Sequence, residues 1–153
     1  MLTESSCLSL KNGNLENVKT LIAEDAGLEA RDNKDMTALM WAAEKGYSDI
    51  VRLLIDGGAD ISTKDKFGNT AFFRAADKHY VEVVKMLITE GAAADESFEN
   101  MFVRAVYLGN IEMVKAFMAA TEIKSDILEK AYRVVRYGSE VSNIIEKALN
   151  KES

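Results

Sequence analysis

Proline is missing from this chain of 153 residues, and only one cysteine and one histidine are present. At average usage roughly seven prolines would be expected, so their absence favours helices that are joined by tight glycine turns. The single cysteine, Cys7, cannot form an intramolecular disulfide and fits a reducing compartment. We therefore expect a cytoplasmic protein.

Candidate metal ligands and nucleophiles are equally scarce. His79 has no second histidine and no cysteine cluster to complete a zinc set. We interpret His79 as a turn residue, because histidine tolerates a left-handed backbone better than most residues. Cys7 has no neighbouring histidine or motif that would activate it, which favours a buried thiol over a nucleophile.

Loops that bind phosphate or calcium are also missing. The pair Gly57 and Gly58 ends a helix instead of opening one, so it does not form a phosphate loop. The stretches RDNKD and DKFGN lack the acidic order and the closing glutamate of a calcium loop. No carboxylate pair is singled out by its setting. These absences predict a protein that is not an enzyme and that holds no cofactor and no metal.

Positive charge is in deficit, since the formal net charge is −6. This balance disfavours general phosphate binding, and we expect no nucleic-acid partner. No run approaches the roughly 18 apolar residues of a membrane span, and MLTESSCLSL has neither the basic start nor the apolar stretch of a signal peptide. With 48% apolar and 29% charged residues, the composition is typical of a soluble globular domain with no membrane partner.

The sequence does contain an internal repeat. The phrase TALMWAAEKG, which begins at Thr37, returns as TAFFRAADKH at Thr70, 33 positions later. The phrase closes at a marker residue, and small or apolar residues stand at constant distances from each marker. The markers are Gly13, Gly46, His79 and Gly109, and the residues four positions before them are Ser9, Ala42, Ala75 and Ala105. Five positions after the markers stand Val18, Val51, Val84 and Val114. Eight positions after them stand Leu21, Leu54, Leu87 and Phe117. Helical spacing within each period predicts stacked helix-turn-helix units.

These residues resemble the ankyrin repeat. In the segment from Asp65 to Ala92 the matching positions are Asp65, Gly68, Thr70, Ala75, Ala76 and Gly91; in the preceding segment they are Asp32, Thr37, Leu39, Ala42, Ala43, Gly46, Leu53, Leu54, Gly58, Ala59 and Asp60. The resemblance implies an all-α solenoid of stacked helix pairs with short β-hairpin fingers between them. We expect about four to five units, including degenerate terminal ones, within a single domain, 1–153. We call them repeats 1 to 5 and place them at about 1–31, 32–64, 65–95, 96–125 and 126–153.

The departures from the ankyrin pattern carry predictions of their own. His79 stands where a glycine would end the first helix in a left-handed conformation, and Asp35 takes the finger position that Gly68 fills in the next repeat. The link between His79 and Asn100 is shorter than the link between Gly46 and Thr70, which predicts truncated fingers after repeat 3. We expect repeat 5 to close the array with a polar outer face, formed by Glu140, Asn143, Glu146, Lys147 and Asn150.

The resemblance also implies where a partner would bind, because ankyrin-like arrays commonly use the finger tips and the exposed side of each first helix. The finger candidates are Arg31, Asn33, Lys34, Met36, Lys64, Lys66, Phe67 and Asn69. The first-helix candidates are Glu44, Lys45, Asp77, Lys78, Tyr107, Leu108, Arg136 and Tyr137. Each of two large candidates has a structural alternative. Phe67 could instead pack between adjacent fingers. Tyr107 could instead contact the next helix.

The position before each small-residue pair adds Trp41, Arg74, Arg104 and Arg133. Two interpretations of these side chains stay open. The arginines either pair with nearby carboxylates such as Asp77 and cover apolar surface with their stems, or they form a recognition stripe with Trp41. A stripe of this kind would favour an acidic or carbonyl-rich partner segment.

Three classes of function follow. The first is a monomeric protein-interaction module, an adaptor or inhibitor that holds a partner protein in the concave groove of the array. The second is a small-molecule-binding or catalytic protein that uses the array as a scaffold. The third is a structural subunit without an independent partner. The missing metal set, nucleophile–base pair and phosphate loop favour the first over the second.

Overall fold

A computed structural model describes residues 15–23, 28–92, 97–135 and 138–150. Outside these ranges lie the first helix predicted for repeat 1, with Cys7, Ser9 and Gly13, and the candidate contact residues Arg136 and Tyr137. Within them the regular structure consists of nine helices and includes no strand. The helices are α1 Leu15–Ala23, α2 Ala38–Lys45, α3 Ser48–Asp56, α4 Ala71–Asp77, α5 Val81–Thr89, α6 Phe98–Tyr107, α7 Ile111–Ala120, α8 Ser125–Val134 and α9 Glu140–Leu149. The all-α prediction is confirmed.

The first helices of repeats 2 and 3 begin in the same way. Thr37 precedes α2, and its hydroxyl accepts a hydrogen bond from the backbone N–H of Met40 at 3.4 Å. Thr70 precedes α4 and accepts from the N–H of Phe73 at 3.2 Å. Each threonine thereby satisfies one backbone donor that the first turn of a helix leaves without a partner. The repeated phrase starts with threonine for this reason.

The first helices end in one shared turn. In repeat 2 the N–H of Gly46 donates to the carbonyl of Ala43, and the N–H of Tyr47 donates to that of Ala42. The same two bonds recur at His79 and Tyr80 in repeat 3 and at Gly109 and Asn110 in repeat 4. This pair of backbone hydrogen bonds is the Schellman motif, which requires a residue with left-handed backbone conformation. Gly46, Gly109 and His79 all have positive φ, and φ of His79 is 62°. The turn role predicted for His79 is confirmed.

The described residues form two compact bodies, 1–95 and 96–153, and the boundary coincides with the predicted start of repeat 4. In the N-terminal body α2 packs against α4, while α1, α3 and α5 pack in sequence. First helices therefore contact first helices, and second helices contact second helices, as in a stacked array. The repeated core positions are buried here as predicted: Val18, Ala42, Val51, Leu54, Ala75, Val84 and Leu87.

The C-terminal body repeats this arrangement, with α6 against α8 and α7 against α9. Its core is aromatic, because Phe117 packs edge to face against Phe98 and Phe102 at centroid distances of 5.0 and 5.7 Å. The last helix buries Val141 and Ile145 and exposes the polar face predicted for repeat 5. Repeat 5 thus forms a helix pair. The division into a single domain, 1–153, stays a prediction.

The fingers are smaller than the predicted β-hairpins. Each is one turn, closed by a backbone hydrogen bond from Asp32 to Met36 in repeat 2 and from Asp65 to Asn69 in repeat 3. The segment between second helix and next first helix shrinks along the chain, from 57–70 through 90–97 to 121–124. The prediction of truncated fingers after repeat 3 is therefore confirmed.

Candidate partner-binding surface

Each of the two fingers is organised around one aspartate, which is half-buried at Asp32 and buried at Asp65. One carboxylate oxygen of Asp32 accepts the backbone N–H groups of Lys34 and Met36 at 2.8 and 3.0 Å. The corresponding oxygen of Asp65 accepts the N–H groups of Phe67 and Asn69 at 2.8 and 2.9 Å. Each aspartate therefore satisfies two turn donors at once, and this arrangement fixes the finger conformation.

The second oxygen of each aspartate ties its finger to the first helix of the same repeat. The indole N–H of Trp41 donates to Asp32 at 2.9 Å. In repeat 3, Arg74 occupies the equivalent position, and its guanidinium pairs with Asp65 and also with Glu44 on the preceding first helix. We call these contacts the finger tethers. They give Trp41 and Arg74, which are half-buried, a supporting role.

Hydrogen bonds lower the pKa of both aspartates. Burial of Asp32 opposes ionisation, but the hydrogen bonds from Met36, Lys34 and Trp41 outweigh it, and the pKa falls below 3.8. For Asp65, burial is again opposed by the Asn69, Arg74 and Phe67 donors, and its pKa also falls below 3.8. The carboxylates of Asp32 and Asp65 are thus stabilised in their charged form by the donors around them.

A finger turn, a capped first helix, a Schellman turn and a second helix define each complete repeat of the N-terminal body. The family model described as "Ankyrin repeats (3 copies)" matches residues 6–65 and 57–130. The chain belongs to the ankyrin-repeat family. No significant match to a curated protein is found. Ankyrin repeats generally act as protein-interaction modules, and the family is typically non-catalytic.

The N-terminal body presents most of the predicted ankyrin contact residues at its surface. The exposed ones are Asn33, Lys34, Lys45, Lys66, Phe67 and Lys78; the half-buried ones are Trp41, Glu44, Asn69, Arg74 and Asp77. Phe67 is 68% exposed, and the ammonium of Lys66 lies 5.3 Å from its ring centroid. Packing between adjacent fingers, the structural alternative for Phe67, is therefore wrong.

Met36 is a correction to the predicted surface. Its side chain is 1% exposed, so Met36 fills the core beneath the finger and offers nothing to a partner. The pairing predicted for Arg74 is also corrected, since its carboxylates are Asp65 and Glu44. Asp77 instead has the ammonium of Lys78 at 3.9 Å. Arg74 pairs with Asp65 and not with Asp77 because its side chain points back toward the finger of its own repeat.

Side chains from the end of α2 and from α4, together with the finger of repeat 3, line a pocket of about 230 Å³. Its lining residues are Glu44, Asn69, Phe73, Arg74, Asp77 and Lys78. Five of these six are predicted contact residues, so the structure brings them together on one surface. The pocket is smaller than the 300 to 1,000 Å³ that small-molecule sites usually occupy.

The C-terminal body carries the other predicted residues. Arg104 is exposed near the end of α6, and Tyr107 and Leu108 are 70% and 52% exposed at the turn that follows. With 70% of its surface exposed, Tyr107 is not buried against the next helix; contact with that helix, its structural alternative, stays untested. Arg133 lies on α8 and has Glu129 at 3.9 Å in an exposed pair. This body thus has an apolar turn of its own at its surface.

Sequence reasoning missed the tether aspartates as parts of this surface. Asp32 precedes Trp41, and Asp65 precedes Arg74, by the same nine positions. That equal spacing, with an acceptor in the finger and a donor in the first helix, is the signal that identifies the tethers. In the described ranges no group of three or more His, Cys, Asp or Glu side chains is placed to hold a metal ion. Nor does any helix there have the length and apolar character to cross a membrane.

Proposed function

We propose that this ankyrin-repeat protein is an adaptor or inhibitor that binds a partner protein through the fingers and first helices of its N-terminal body. The contact surface comprises Asn33, Lys34, Lys45, Lys66, Phe67, Asn69, Asp77 and Lys78, with Trp41, Glu44 and Arg74 as its supports. We further propose that it acts as a cytoplasmic monomer. Size-exclusion chromatography with light scattering tests the monomer, and a stable oligomer would favour the structural-subunit alternative.

The observation that carries this proposal is the exposure of Phe67. An aromatic ring that is 68% exposed at a turn gains little from folding, and the turn that presents it is held by Asp65. Because the turn is preorganised, ordering the ring costs a partner little free energy. Large aromatic side chains are also the groups that most often anchor protein interfaces.

The experiment has two stages. Affinity purification from the native source with mass spectrometry identifies candidate partners, and titration calorimetry then measures each against wild-type protein and variants. We expect Phe67→Ala to weaken binding about thirtyfold, which corresponds to roughly 2 kcal/mol for a true anchor. Arg52→Ala, on the exposed face of α3, is the control and should change affinity less than twofold. Equal affinity of both variants, with unchanged melting temperatures, would refute the proposed surface.

A further inference from the structure

In the two fingers, the acidic and the basic side chains point in different directions. The carboxylates of Asp32 and Asp65 are turned inward, where backbone N–H groups, Trp41 and Arg74 occupy them. The side chain of Asp65 is fully buried. The lysines of the same fingers are exposed to solvent instead. A sequence in which acidic and basic residues alternate thus folds into tips whose surface is basic.

The exposed charges at the tips are unequal in number. Within residues 31–36 and 64–69, Lys34, Lys64 and Lys66 are exposed, against one exposed carboxylate at Asp35 and one half-buried carboxylate at Asp32. Arg31 links the fingers by donating to the carbonyl of Lys64 at 3.2 Å, and its charge is offset by nearby Asp60. The tips therefore carry positive charge on a chain whose net charge is −6.

The two fingers are joined at their tips. The backbone N–H of Lys66 donates to the carbonyl of Lys34 at 3.3 Å, so the two lysines stand side by side on adjacent repeats. Phe67 follows immediately and contributes an exposed ring. Two cations beside one apolar surface form a patch whose complement is a carboxylate-rich segment with an apolar side chain. We call Lys34, Lys66 and Phe67 the tip patch.

We propose that the tip patch binds an acidic segment of the partner protein, with carboxylates at Lys34 and Lys66 and an apolar side chain against Phe67. This proposal rests on the proposed function and specifies the chemistry of its partner. It also assigns the positive charge that attracts the partner to different residues than the sequence indicated. The sequence pointed to Arg74 for an acidic partner, but two carboxylates neutralise Arg74, and the finger lysines take that role.

Fluorescence anisotropy with labelled twelve-residue peptides tests the chemistry. The first peptide alternates Asp and Glu around one central Leu; the second replaces its acids with Lys; the third replaces the Leu with Ser. We expect the first to bind, the second to show no binding and the third to bind several-fold more weakly. The dissociation constant of the first should rise with salt, because exposed charge pairs are screened. An oligothymidine probe serves as a second polyanion, and tighter binding of it would overturn the proposal in favour of nucleic acid.

Charge reversal locates the site. Lys34→Glu and Lys66→Glu should each weaken binding of the acidic peptide about fivefold, since an exposed pair contributes up to about 1 kcal/mol. Arg52→Glu changes net charge by the same amount on α3 and should change affinity less than twofold. Equal weakening by all three variants would show an effect of net charge alone and would overturn the proposal.

The two proposals fail in different ways. If a partner depends on Phe67 but neither lysine reversal affects it, the acidic-segment proposal is wrong and the interaction surface stands. If no partner depends on Phe67, the proposed function itself is wrong. Melting temperatures of all variants accompany both measurements, because these exposed side chains should leave the fold unchanged.

Discussion

Gly46 combines a left-handed backbone with a close neighbour, and replacing it with alanine should be costly. Its φ is 72°, and a Cβ atom added there would lie 2.5, 2.6 and 2.8 Å from three ring carbons of Tyr80. Left-handed backbone costs a residue with a Cβ about 1–2 kcal/mol. Displacing the Tyr80 ring adds about 1–3 kcal/mol, the usual cost of overpacking. We expect Gly46→Ala to lower the free energy of unfolding by about 2–5 kcal/mol.

Gly68 provides a matched control in the same body. Its φ is 78°, but nothing lies within 4 Å of an added Cβ. Gly68→Ala should therefore cost only the backbone term, about 1–2 kcal/mol. The effect of alanine on the unfolded chain is common to both variants and cancels in their difference.

Urea denaturation followed by circular dichroism measures both costs, and a double-mutant cycle with Tyr80→Ala isolates the contact. In the Tyr80→Ala background the three ring carbons are gone, so Gly46→Ala should cost no more than Gly68→Ala. The reasoning would be refuted if Gly46→Ala and Gly68→Ala cost the same in the wild-type background. That result would mean that the Tyr80 ring moves aside freely.

Three further predictions concern charge, turn conformation and local stability. Because the folded pKa values of Asp32 and Asp65 lie below 3.8, their stabilisation is present above that pH and is lost as pH falls through the folded values. Urea titrations from pH 7 to 2 should therefore show wild type losing more stability in acid than Asp32→Asn or Asp65→Asn. His79→Gly should raise the free energy of unfolding by up to about 1 kcal/mol, since glycine takes the left-handed turn without steric cost; a loss of several degrees in melting temperature would contradict this. Amides in 122–151 should exchange faster with deuterium than those in 37–90, because the segments between the later helices are shorter; equal protection would show one cooperative block.

The features that sequence predicted well are those with a fixed period. Val51 and Val84 are fully buried because a helix places equivalent residues of successive repeats on the same face. The left-handed backbone at His79 followed from its alignment with Gly46, since the Schellman turn admits few other conformations. Prediction from the period succeeds where the residues that surround a position are the same in every repeat.

The fingers were harder to predict because a turn has no such period. Met36 and Phe67 both belong to finger turns, yet one is 1% and the other 68% exposed. Which side chain points inward depends on the aspartate that captures the turn N–H groups. The partners of Arg74 were also out of reach, because they lie on a finger and on a different repeat. Long side chains select partners by three-dimensional position, which spacing along the chain does not specify.

The tether between Trp41 and Asp32 makes the intrinsic tryptophan fluorescence of the protein a probe of its first finger. Trp41 is the only tryptophan of the chain, and its indole N–H bonds a finger carboxylate. Its emission therefore follows the N-terminal body alone, while circular dichroism averages over helices of both bodies. Non-coincident melting curves from the two signals would show that the bodies unfold separately. A shift of the emission maximum on adding a ligand would likewise report events at the first finger without any label.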